Sequence, residues 1–96
     1  MLSKQDKKYL RKEANSYRSI LQIGKDGLSY NSMKTLDDAL EAHELVKCNT
    51  LKTCPIDVRE AAIECARNTH SEVVHIIGRT FVLYRRSVEN IMGLKK

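Results

Sequence analysis

A chain of 96 residues is too short to divide into two domains with separate cores, so a single domain is expected. Hydrophobic residues make up 42%, enough to bury a core, which excludes wholesale disorder; no apolar run reaches the roughly 18 residues of a membrane-spanning helix. Lys and Arg total 17 against 12 Asp and Glu, a formal charge of +5 that favours polyanionic partners.

The chain opens on a polar helix from Ser3 to about Ser16. Ser3 can cap its first turn and Asp6 suits the positive end of the helix dipole. Tyr9, Leu10 and Ala14 recur at helical spacing beside Lys4, Lys7, Lys8, Arg11 and Lys12, which gives the helix one basic face. Ser19 to Ile23 reads as a short apolar strand stopped by Gly24. After a loop from Gly24 to Leu28, Ser29 is a good N-cap for a helix to about His43, with Met33, Leu36, Leu40 and His43 along one side. Leu45 to Leu51 alternates as a strand, Leu45, Lys47, Asn49 and Leu51 on one face and Val46, Cys48 and Thr50 on the other. Pro55 ends that segment.

Asp57 and Glu60 fit the N-cap and N3 positions of a capping box, opening a third helix to about Thr69-His70. Its apolar stripe is Val58, Ala61, Ala62, Cys65 and Ala66. Two strands follow, Glu72 to Ile77 and Thr80 to Arg85, joined by Gly78-Arg79, a pair that suits a type II′ turn. With one Phe and no Trp, the core they build is aliphatic. The order α-β-α-β-α-β-β calls for a mixed sheet of four strands with at least one parallel pair. Residues 1–86 form the domain, and 87–96, which carry no clear period, are expected to be a loosely ordered tail.

Candidate chemistry is confined to binding. The Gly24-Lys25-Asp26-Gly27 loop lies between a strand and a helix N-terminus, where glycines admit a close phosphate and free amides attract negative charge. Lys25 adds a mobile cation. The loop lacks the GxxxxGK[ST] frame of a nucleotide P-loop. The stretch Lys4 to Lys12 holds five cations and one acid, and Arg79, Arg85 and Arg86 mark the terminal hairpin. Three cysteines without a CxxC pair, and His43, His70 and His75, lack zinc-ligand spacing, so no metal and no cofactor is expected. Asp37 and Asp38 read as solvent-facing residues that need no catalytic role; Tyr17, Tyr30 and Tyr84 either stack on bases or lie half-buried, and the half-buried reading is favoured. No nucleophile elbow or acid-base pair suggests an enzyme.

Together these stretches resemble the YhbY family, whose fold is the CRM (chloroplast RNA splicing and ribosome maturation) domain. The matching segments are Lys8-Tyr9-Leu10-Arg11, Gln22-Ile23-Gly24-Lys25-Asp26-Gly27-Leu28, the run from Leu36 to Lys47, and Val73 to Arg85 with its string Ile77-Gly78-Arg79-Thr80-Phe81-Val82-Leu83-Tyr84-Arg85. They keep family order over nearly the whole domain. The resemblance implies a two-layer α/β sandwich like the C-terminal domain of bacterial translation initiation factor three. It also implies an RNA partner, since stand-alone bacterial members associate with precursors of the large ribosomal subunit and plant members assist group II intron splicing. The family's glycine loop, compared with that of KH domains, carries over to Gly24, Lys25, Asp26 and Gly27. Asp26 departs from the pattern, placing an acid where an uncharged residue is common; it would either repel phosphate or cap the following helix. The tail after Arg86 follows no family pattern.

The expectation is therefore an RNA-binding protein that assists large-subunit assembly without cofactor, small-molecule substrate or membrane. Its contacts would come from the Gly24–Gly27 loop and a surrounding basic face of Lys4, Lys7, Lys8, Arg11, Lys12, Arg79 and Arg85. A protein-interaction module on the ribosome is the alternative. The charged start MLSKQDKKYLRK does not resemble a signal peptide, and with unpaired thiols it points to the cytoplasm.

Overall fold

The computed structural model describes residues 2–86. In chain order the elements are α1 (Lys4–Ala14), β1 (Leu21–Ile23), α2 (Tyr30–His43), β2 (Leu45–Thr50), α3 (Val58–Thr69), β3 (Glu72–Ile77) and β4 (Thr80–Tyr84). The predicted order and all seven elements are present; 87–96 lie outside the described residues. The four strands form one mixed sheet in the order β1-β2-β4-β3. β1 runs parallel to β2 across the α2 crossover, and β4 lies antiparallel between β2 and β3.

Central position explains the composition of β4. Its run Phe81-Val82-Leu83-Tyr84 is buried throughout because side chains alternate between two covered faces. Phe81 and Leu83 join Val46, Cys48, Ile23, Leu36, Leu40, Ala61, Ala62 and Cys65 in the main core under α2 and α3. Val82 and Tyr84 point the other way, into a smaller core with Leu10, Ala14, Leu45 and Val74. The α/β class and the sheet are as expected, with α2 and α3 forming the helical layer. α1 adds a partial cover on the opposite face. That cover is why Leu45 is buried although it alternates away from Val46 and Cys48.

Helix ends follow local chemistry. At α1 the capping box is complete: Asp6 N donates to Ser3 Oγ at 3.0 Å, and Ser3 N donates back to the Asp6 carboxylate at 3.2 Å. At α3 the expected box does not form. Asp57 is the N-cap residue but its side chain makes no capping hydrogen bond. It is exposed, so water can serve the first-turn amides. His43, expected on the apolar stripe of α2, is exposed, because Glu44 at φ 65° ends the helix there. The β3–β4 turn has Gly78 at φ 57° while Arg79 keeps a negative φ, the signature of type II′. A bulge between Val73 and His75 puts two residues of β3 opposite Val82, which the alternation alone did not announce.

Candidate nucleic-acid interface

Register decides which loops meet. Ile23 pairs with Thr50, so β1 delivers the glycine loop to the far end of β2. The β3–β4 turn reaches the same end, where Thr50 N donates to Arg79 O at 2.7 Å and Thr50 Oγ1 to the same oxygen at 3.4 Å. The N-termini of α2 and α3 open there too, α2 directly after the glycine loop and α3 beside Arg79 in a shared shallow cleft.

The glycine loop is a closed turn. Gly27 N donates to Gly24 O at 3.0 Å, leaving Lys25 and Asp26 at the two exposed corners. Gly27 has φ +66°, a conformation that β-branched side chains scarcely adopt, and a Cβ there would stand 3.4 Å from Pro55 Cγ. Gly24 is less constrained. A Cβ on it would meet Leu51 Cδ1 at 3.4 Å and Thr53 Oγ1 at 3.7 Å. Ser29, and not Asp26, caps α2: Ser32 N donates to Ser29 Oγ at 3.1 Å. The reading of Asp26 as a cap is thereby overturned, since the nearer hydroxyl holds the position; Asp26 is an exposed anion on the turn.

Exposed cations at this end of the sheet include Lys25, Arg79 and Lys52. Lys52 and Arg79 border the cleft, of about 240 Å³, together with Cys54, Ile56 and Asp57. Lys52 was not a sequence candidate. It belongs to the segment after β2, and only the β1–β2 pairing reveals that this segment adjoins the glycine loop.

The remaining predicted cations lie elsewhere. Lys4, Lys7, Lys8, Arg11 and Lys12 are all exposed on α1. But α1 packs at the other end of the sheet, where Leu45 pairs with Tyr84 and Leu2 N donates to Glu72 Oε2 at 3.2 Å. β2, six residues long, separates the two ends by about 16 Å. The expected single basic face around the loop is therefore two basic surfaces. Arg85 belongs to neither. Its guanidinium donates to Asp37 Oδ1 at 2.6 Å, Thr69 O at 2.8 Å and Asp37 O at 3.0 Å, with Glu41 at 3.8 Å. At 20% side-chain exposure it is a tie between β4, α2 and the end of α3. Asp37, solvent-facing as the sequence predicts, is its partner.

Tyrosines divide differently from expectation: Tyr84 is buried at 5%, Tyr17 is half-buried, and Tyr30 stands 81% exposed at the first position of α2. Cys48 and Cys65 are buried in the main core, and burial pushes both thiols up to about 12. Among the described residues no three His, Cys, Asp or Glu side chains stand together as metal ligands.

Residues 2–85 match the CRS1 / YhbY (CRM) domain. The chain belongs to the CRM family. A Bacillus subtilis protein named as a probable RNA-binding protein, YqeI, is 39% identical over 90 residues, covering 94% of each chain. A Haemophilus influenzae protein named as RNA-binding is 29% identical over 89 residues, 92% of this chain and 89% of the relative. The solution structure of SAV1595 from Staphylococcus aureus shares 42% identity and superposes with a TM-score of 0.80 over 94% of each chain. These relatives are named for RNA binding and not for catalysis.

Proposed function

We propose that this CRM domain binds RNA through the sugar-phosphate backbone, with the Gly24–Gly27 turn as the principal contact. The supporting observation is the convergence at one end of the sheet of the glycine turn, the N-termini of α2 and α3, and Lys25, Lys52 and Arg79. Glycine removes the side chain that would hold a phosphate away, while helix N-termini and nearby cations supply donors and positive field. Positioning by phosphate contacts carries little base information, so shape and accessibility of the RNA set selectivity. α1, with its five exposed cations, provides a second and separable contact.

The RNA we assign is ribosomal, in precursors of the large subunit, in the cytoplasm, as the resemblance to stand-alone YhbY proteins suggests. Among the described residues no helix is long and apolar enough to cross a membrane. Crosslinking in cells followed by sequencing of bound RNA tests the assignment: enrichment of large-subunit precursor reads is expected, and their absence from the crosslinked pool removes it. In vitro, replacing Lys25, Lys52 and Arg79 by Ala together should abolish most binding to naked RNA. A variant that loses naked RNA yet still binds assembling particles would instead favour a protein-interaction module.

A further inference from the structure

We infer that Tyr30 is a stacking platform for an unpaired RNA base, placed beside the phosphate-binding turn; this rests on the RNA-binding reading above. A single exposed hydrophobic side chain on a soluble domain is ordinary, so exposure alone says little. Position and neighbours carry the argument. Tyr30 is 81% exposed, the highest among the large exposed hydrophobic residues of the described chain. Its ring therefore contributes little to the core, unlike Tyr84 at 5%. It occupies the first helical position of α2, three residues after Gly27, with only Leu28 and the N-cap Ser29 between. The ring thus leaves the chain at the N-terminus of α2, three residues beyond the glycine turn.

Two further features fit a base. Lys34 lies one turn on from Tyr30 at i, i+4 and is also exposed, so one side of α2 presents an aromatic plane followed by a cation. Leu51, 41% exposed, has its Cδ1 3.4 Å from where a Cβ on Gly24 would stand, which gives the glycine turn an apolar neighbour. Cations interleaved with apolar surface suit single-stranded RNA, whose phosphates and base faces alternate along the strand. A backbone phosphate held at Lys25 would leave an adjacent unpaired base free to lie on the Tyr30 ring. Paired bases cannot do so without leaving their stack, so the site selects unpaired nucleotides.

The test uses the full chain and a ten-nucleotide single-stranded RNA of mixed sequence, with a blunt duplex of the same sequence beside it. Tyr30→Ala should weaken single-strand binding roughly five- to a hundredfold, the range for removing one base-aromatic stack. Tyr30→Phe should restore it, because the ring and not the hydroxyl carries the contact. The slope of affinity against salt should be the same in Tyr30→Ala as in the parent, since no phosphate contact is lost. The chain has no Trp, so Tyr30→Trp adds a unique fluorophore whose emission should be quenched as the oligonucleotide saturates. Equal single-strand affinity of parent and Tyr30→Ala, or unquenched Trp at saturation, overturns the stacking role and leaves RNA binding standing. A parent that binds the duplex but not the single strand overturns it as well. A parent that binds neither removes both readings.

Discussion

Gly27 and its neighbours show why a short glycine motif cannot be probed by a single substitution. Gly27 needs its φ of +66° and also lies against Pro55, so a bulky residue there perturbs the fold and any ligand contact at once. Gly27→Ala should cost about 1–2 kcal/mol of stability from backbone strain alone, measurable by urea unfolding. An unchanged midpoint would mean that the turn relaxes into another form. Asp26→Asn is cleaner. Ser29 caps α2, so losing the Asp26 charge should leave stability unchanged and tighten RNA binding by removing an anion from the phosphate path. Weaker binding would show that the carboxylate makes a favourable contact. The thiols give a prediction independent of RNA. Cys48 and Cys65 have folded pKa values raised from 9.0 to about 12 by burial, so the folded state prefers them protonated. The stability this carries is complete below pH 9, the unfolded value, and is lost progressively as pH rises from there towards 12. Unfolding curves from pH 8 to 11 should show the decline, and replacing both thiols by Ala should reduce it, leaving above pH 10 the part due to Tyr17 and Tyr84, whose hydroxyl pKa values burial also raises. A thiol reagent at pH 8 should modify Cys54, which is only half-buried, well before the other two.

At the scale of elements, local pattern carried far. Ser29 before a helical stripe and Gly78-Arg79 between β-branched segments each act within a few residues as expected, whereas β2 stops at Thr50, where a turn closed by Cys54 N donating to Leu51 O precedes Pro55. What stayed hidden is whatever depends on partners distant in sequence. Arg85 meets Asp37 48 residues away, and neither residue advertises the other. The second core under α1 was equally illegible, since Leu45 and Val82 read as ordinary strand residues until their alternation is matched to a covering helix. The candidate site was half legible for the same reason. Gly24 to Gly27 form one contiguous motif, whereas Lys52 joins them only through the register of β1 on β2. Arg85 turns this contrast into an experiment. Arg85→Ala should destabilise the domain by about 1–3 kcal/mol, because charge-assisted bonds to Asp37 and to Thr69 O are lost together, with solvent at the half-exposed Asp37 limiting the effect. RNA affinity of the folded variant should match the parent. Lost affinity at full stability would return Arg85 to the interface.

Over the whole molecule, the decisive feature is that, among the described residues, the cations proposed to contact RNA lie at two ends of the sheet. The glycine end offers Lys25, Lys52 and Arg79, and α1 offers Lys4, Lys7, Lys8, Arg11 and Lys12, with the length of β2 between them. Salt dependence reads how many of these engage at once. Each phosphate contact on a single strand releases counterions worth a slope of roughly −0.7 in log affinity against log salt. An RNA long enough to occupy only the glycine end should therefore give a slope near −2, from about three contacts. A longer RNA that also reaches α1 should steepen it, to roughly −4 if about half of the α1 cations take part. Replacing Lys4, Lys8 and Lys12 by Gln should return the long RNA to the shallow slope while leaving the short one untouched. If the replacements change neither, the α1 cations are a solvated face and all binding resides at the glycine turn. If they flatten the short RNA as well, the two surfaces act as one. The separation seen across the sheet would then be bridged by the RNA itself, folding back from the turn onto α1.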